Sequence, residues 1–253
     1  MDEKGLVNFQ APLIKGVDPR KRFMTSAEKP ERLASEPKFG FAFLLFCLIA
    51  SLLVPAYFEN QIMGGVALRG MLSLILLASL YLIAQQPREL KIGIALAVPT
   101  LLANWWSGLF SPPWDVYIGS AFYIVFLCYI SIFIFRFLFE TEQISLNMIF
   151  SAICLYMYIG LIWTFIYLVT EISRPGSFRF PIELPGDPES LVHALRSSFS
   201  YFSYVTLSTL GYGDVTPLTK FARAWAILET VTGQFFLAFV VARLVGLFIT
   251  NRH

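Results

Sequence analysis

Charge is scarce in this sequence. Of 253 residues only 14% are Asp, Glu, Lys or Arg, while 57% are hydrophobic, and the mean hydropathy is +0.66. A water-soluble domain of this length must cover its core with polar surface, so this balance excludes an ordinary soluble fold and points to the membrane. The net charge is only +2, and no basic run is dense enough to suggest nucleic acid as a partner. Cysteine is equally sparse. Cys47, Cys128 and Cys154 fall in separate apolar stretches, which favours buried small side chains over a disulfide framework or a thiolate metal site. No constellation of residues suggests an enzyme, and no organic cofactor is implied. A cleaved leader is not expected either, because the first apolar run begins only at Phe39 and has the length of a full span.

What the chain does contain is a series of apolar runs with little or no charge. A hydrocarbon core of roughly 30 Å takes about 20 helical residues. Six runs fit that description: Phe39–Phe58, Gly70–Ala84 (the short one), Ile92–Phe110, Val116–Phe135, Ile144–Thr170 and Phe221–Ile249. With the amino terminus inside, Arg88, Lys91, Arg136, Arg243 and Arg252 join the cations of the amino-terminal arm on the inner side. Arg69, Arg174, Arg179, Arg196, Lys220 and Arg223 lie outside. The excess predicts that both termini are cytoplasmic. Trp105, Trp106 and Trp114 cluster where the third and fourth spans would meet the outer headgroups. Residues 1–38, with Pro12, Pro19, Pro30 and Pro37, read as a cytoplasmic arm, and residues 39–142 as a compact four-helix bundle.

Residues 143–253 have a different organisation. The long connection between the last two spans, Glu171–Lys220, opens with the Pro- and Gly-rich run ISRPGSFRFPIELPGDPES, which reads as an exposed turret. The following LVHALRSSFSYFSYVTL has neither Pro nor Gly and fits a helix with an N-cap near Asp187. That segment is too short and too polar to span, so it is expected to re-enter the membrane and stop at Ser208. Beyond it come Thr209, Leu210, Gly211, Tyr212, Gly213 and Asp214. Irregular backbone at membrane depth is tolerated where it is packed in protein or lines an aqueous path, so this stretch predicts a water or ion pathway.

The run TLGYGD resembles the signature of the tetrameric potassium channels, the pore-loop cation channels whose four filter loops replace the hydration shell of K⁺ with carbonyl oxygens. Leu210 stands where the family has valine, a position that contributes only its carbonyl to the ion. The resemblance implies an all-α membrane protein with six transmembrane helices, a re-entrant pore helix and a selectivity filter. It implies a homotetramer embedded in membrane lipid, with residues 143–253 as the pore domain and K⁺ as the permeant ion. The carbonyls of Thr209, Leu210, Gly211 and Tyr212, with the Thr209 hydroxyl, would form the K⁺ sites. Inward carbonyls require a backbone that alternates in hand, and Gly211 and Gly213 supply the positive φ cheaply.

The same resemblance assigns supporting roles. Asp214 would pair with a donor on the pore helix at Tyr201, where many relatives carry tryptophan, and Thr206 and Ser208 end that helix beside the filter. Where some bacterial relatives carry an acid four residues before the filter threonine, this chain has Val205. Gly233 falls at the family's gating hinge, although close helix packing without bending is the other use of such a glycine. Two ionisable residues in the last span have roles of their own. Glu229 is expected to buttress the back of the pore helix through Ser and Thr hydroxyls, with direct ion attraction as the other option. Arg243, near the inner mouth, either snorkels to headgroups or pairs with Glu140 or Glu142. His193 opens the re-entrant helix and is expected at the outer surface.

Missing charges also limit the gating mechanism. A voltage sensor needs cations spaced along the fourth helix, since each contributes about 2.3 kcal/mol per 100 mV. Val116–Phe135 has none, and only Arg136 closes its inner end. Few residues follow Ile249, so no appended nucleotide- or calcium-binding domain is expected. The expected setting is a cell membrane of bacterial type, the inner one, with a gating ligand of unknown nature still open. Two other classes stay open as well. One is a K⁺ transporter subunit, which the single well-kept GYGD disfavours. The other is a receptor in which the first four helices bind a ligand, with Asn104 and Trp105 as the pair to inspect.

Overall fold

The computed structural model describes residues 39–58, 61–105 and 113–250. The arm 1–38, Trp106 and Arg252 lie outside the described residues. Seven α-helices are present among them: α1 (Gly40–Leu53), α2 (Gln61–Ile83), α3 (Pro87–Trp105), α4 (Trp114–Glu140), α5 (Leu146–Ser173), α6 (Pro188–Leu207) and α7 (Lys220–Thr250). A 3-10 turn, Val54–Tyr57, follows α1, and two short strands, β1 (Phe178–Arg179) and β2 (Thr216–Pro217), flank the region between α5 and α7.

Four of these helices are long and apolar enough to cross a membrane: Met63–Ile83, Trp114–Glu140, Leu146–Ser173 and Lys220–Ile249. The expected order of six helices with one inserted between the fifth and sixth is present, but the boundaries move. The second helix, short by its charge-free run, extends back to Gln61 because Arg69 ends an apolar run without ending a helix. Its guanidinium reaches Glu189 at 2.8 Å and stays satisfied. The helix α1 has only 14 residues, since Pro55 falls in the turn that follows. In α3 the helix opens at Pro87, a favoured first position, and takes Arg88, Glu89 and Lys91 into its first turns.

Caps set the ends that matter for the site. Ser145 accepts the Met148 N–H at 3.2 Å and starts α5, Asp187 accepts the Ser190 N–H at 2.9 Å and starts α6, and the Thr219 hydroxyl accepts the Ala222 N–H at 3.2 Å at the head of α7. The Asp187–Ser190 contacts hold the Asp187 carboxyl below its ordinary range.

Helix α5 is the centre of the molecule. It packs against α4, α6 and α1, and it buries Tyr158, Phe165, Tyr167 and Leu168. Tyr123 of α4 stacks on Phe165 with ring centroids 4.6 Å apart. In contrast, α7 leaves Val231, Phe235, Val241 and Val245 exposed along its length. The turret is less open than its composition suggests, because Ser177 and Phe178 are buried. The Glu171 carboxylate accepts the Gly176 and Phe178 N–H groups at 2.8 and 3.0 Å. Phe178 then pairs with Pro217 in the antiparallel β1–β2 ladder. This ladder ties the exit of α5 to the backbone beyond Asp214. Sequence reasoning missed Glu171, whose only signal is an acid at a helix end just ahead of a Pro-Gly turn.

Candidate functional site

Helix α6 ends by turning its last carbonyls onto the segment that follows. The Val205 carbonyl accepts the Leu210 N–H at 2.9 Å and the Gly211 N–H at 3.4 Å, and the Thr206 carbonyl accepts the Thr209 N–H at 3.0 Å. From there every second residue has positive φ: Thr209 at 61°, Gly211 at 57° and Gly213 at 80°. Leu210 and Tyr212 between them do not. The backbone therefore alternates in hand through the whole run. Two of the three positions are the glycines, where this conformation is nearly free. The third is a β-branched threonine, the one non-glycine residue at positive φ among the described residues. Such a conformation costs about 1–3 kcal/mol and persists only where the surroundings impose it.

The side chains of the run face outward from the single chain. Leu210 is 60% exposed and Tyr212 is 68% exposed. Leu210 borders a cavity of about 570 Å³ that Tyr156, Tyr201 and Tyr204 also line. The Ser208 hydroxyl folds back onto the Tyr204 carbonyl at 2.6 Å, so it caps its own helix. Thr206 is half-buried on the last turn.

Asp214 and Tyr201 are brought together. Their hydrogen bond raises the Tyr201 phenol to about 12 and holds the Asp214 carboxyl below its ordinary range, and Asp214 also accepts the Val215 N–H at 3.0 Å. A carboxyl whose folded pKa is depressed keeps this contact above its ordinary range and loses it as pH falls through the lowered value. Tyr201→Phe should therefore shift the acid limb of ion flux to higher pH. Tyr201→Trp, which keeps a donor, should shift it less. Flux in proteoliposomes across an acid series would check this order.

The back of α6 rests on α7 through two paired positions one turn apart. Glu229, with no exposed surface, accepts the Ser203 hydroxyl at 2.5 Å and the Tyr167 hydroxyl at 2.5 Å, joining α6, α7 and α5. Ser203 also reaches the Gly160 carbonyl at 2.8 Å. One turn on, a Cβ at Gly233 would come within 2.3 Å of the Leu207 carbonyl oxygen, the backbone of the last turn of α6. Helix α7 runs unbroken past this point. Gly233→Ala is expected to destabilise each chain by about 1–3 kcal/mol, as overpacking does, and so to lower the unfolding midpoint. An unchanged midpoint with altered open probability would leave bending as the only role of this glycine.

Arg243 corrects an expectation. Its guanidinium meets neither Glu140 nor Glu142, and instead donates to the Phe139 carbonyl at 2.8 Å and the Thr141 carbonyl at 3.0 Å. These carbonyls lie at the carboxyl end of α4, where a helix leaves acceptors unsatisfied and carries partial negative charge. Stacking of Phe139 on Phe239, with centroids 4.7 Å apart, seals the same junction. His193 is a second correction. It is half-buried against Gly65, and burial, then Arg196 and Arg69, lower it to about 4, so it is neutral at pH 7.

Residues 193–250, which cover most of α6, the TLGYGD run and α7, match the model of a family described as ion channels. No curated protein and no solved structure was found to match the chain. The match and the four long apolar helices together support an ion channel in a membrane.

Proposed function

We propose that the chain is the subunit of a homotetrameric, K⁺-selective channel that passes the ion down its gradient. The observation that carries this reading is the alternation of positive φ at Thr209, Gly211 and Gly213 inside a TLGYGD run. Successive peptide units of alternating hand can present their carbonyls to one side, and four such strands around an axis would replace the hydration shell of K⁺. The carbonyls of Thr209, Leu210, Gly211 and Tyr212 and the Thr209 hydroxyl are the proposed ligands. Four copies also account for the exposed faces of Leu210, Tyr212 and α7.

In this reading Tyr201, Asp214, Thr206, Ser208 and Glu229 hold the filter from behind. Gly233 sets the approach of α7, with bending there as its gating role, and Arg243 marks the inner mouth. Both termini are placed in the cytoplasm of a bacterial-type cell membrane. Strong voltage gating is not part of the proposal, since α4 carries only Arg136 near its end. The test is flux from the purified protein in liposomes under K⁺ or Na⁺ gradients, with external Ba²⁺. K⁺ flux that Ba²⁺ blocks, with little Na⁺ flux, is expected. Equal flux of the two cations would refute selectivity, and a monomeric or dimeric particle in both detergent and lipid would refute the assembly.

A further inference from the structure

A cavity of about 260 Å³ lies between α2, α3, α4 and the start of α6, away from the filter. Arg69 of α2, Asn104 of α3, Ser120 and Tyr123 of α4, and His193 and Arg196 of α6 line it. Five of these six residues leave a buried polar atom without a partner: Asn104 Oδ1, Ser120 Oγ, Tyr123 Oη, His193 Nδ1 and Arg196 Nε. Buried polar groups are normally paired, and each orphan costs free energy, so five around one small space mark it as suited to a polar ligand.

The charge balance says what kind of occupant. Arg69 is neutralised by Glu189, the one salt bridge among the described residues. Arg196 has no carboxylate; its guanidinium lies over the Phe165 ring, 5.6 Å from the centroid. A half-buried cation with no carboxylate paired to it keeps part of its desolvation cost, and a carboxylate is the planar partner that a guanidinium edge takes best. Asp115, also at the wall, accepts the Val116 N–H at 2.8 Å and forms no ion pair with Arg196. The Asn104 amide nitrogen is committed to the Arg69 carbonyl and the Ser73 hydroxyl, both at 3.0 Å. That fixes the orientation of the amide, so its orphan Oδ1 needs a donor. The volume is below the roughly 300–1,000 Å³ of drug-sized pockets, which limits the occupant to a small molecule.

We propose that this cavity binds a small organic carboxylate carrying one hydroxyl or amino donor. Its carboxylate meets Arg196 and the Ser120 and Tyr123 hydroxyls, and its donor meets Asn104 Oδ1. The ligand would bridge the helix bundle to the first turns of α6. The proposal stands whichever ion the pore passes.

The test is the unfolding midpoint of the purified full chain in detergent at pH 7, followed by tryptophan fluorescence, with sodium glycolate, acetate and chloride at matched ionic strength. Glycolate should raise the midpoint with concentration, acetate less, and chloride not at all. Tyr123→Phe and Ser120→Ala remove hydroxyls that have no partner, so they should keep or raise the ligand-free midpoint. Each should weaken glycolate by roughly tenfold in apparent affinity, the equivalent of one hydrogen bond to a charged group. Arg196→Gln should abolish the response. No response to glycolate, equal shifts for all three salts, or a full glycolate response in both hydroxyl variants would overturn the proposal. Should Arg196→Gln fail to fold, the two hydroxyl variants decide it.

Discussion

Glu229→Gln is expected to fold and conduct much as the parent chain does, whereas Glu229→Ala is expected to lose both stability and flux. The difference lies in the hydroxyls. Ser203 has one proton and two acceptors within reach, the Gly160 carbonyl at 2.8 Å and Glu229 Oε1 at 2.5 Å. Glutamine offers its carbonyl to Tyr167 and an amide N–H to Ser203, which leaves the serine proton for Gly160, so both hydroxyls stay paired. Alanine strands the buried Tyr167 hydroxyl, at about 1–3 kcal/mol, leaves Ser203 only the Gly160 carbonyl, and opens a cavity behind α6 as well. The unfolding midpoint and K⁺ flux of the two variants, measured side by side, check this. Equal loss in both would mean that the negative charge of Glu229, not its hydrogen bonding, matters.

Gly211→Ala is expected to abolish selective flux while leaving the chain folded. A Cβ at Gly211 meets nothing within 4 Å in the chain, so steric exclusion is not the cause. The cause is the backbone: φ is +57° there, a left-handed conformation that costs an L-residue about 1–2 kcal/mol. In the proposed ring all four chains bear that cost at the same level, roughly 4–8 kcal/mol in total, and relief by a flipped peptide would turn carbonyls away from the ion. Gly213, at +80°, should behave alike. The check is relative K⁺ and Na⁺ flux together with the unfolding midpoint. Retained K⁺ selectivity with an unchanged midpoint would remove the carbonyl-lined filter.

Much of this was legible locally. The start of α6 followed from Asp187 and Pro188, because a cap and a first-turn proline act within one turn of their own position. The two filter glycines followed from their backbone freedom, and Glu229 from the cost of an acid in an apolar helix. What escaped depends on partners distant in the chain. Arg69 looked like an end of helix two because Glu189 is far away in sequence. Thr209 gave no sign of positive φ, since its strain is imposed by the carbonyls of α6 and not by its own chemistry. An arginine near the inner end of the last helix suggested acids nearby, while main-chain carbonyls, which every residue has, are invisible as partners in a sequence. The cavity of Arg196 was only half visible: Asn104 drew notice, but its companions come from three other helices.

The Arg243 junction has a consequence for how such a chain can vary. Its acceptors are the Phe139 and Thr141 carbonyls, so Glu140 and Glu142 can be exchanged for many residues without releasing it. Neither acceptor gains or loses a proton over the pH range of a cell. The joint between α4 and α7 is thus a rivet set in main chain, which neither acidity in that range nor sequence drift at the two linker acids will unfasten.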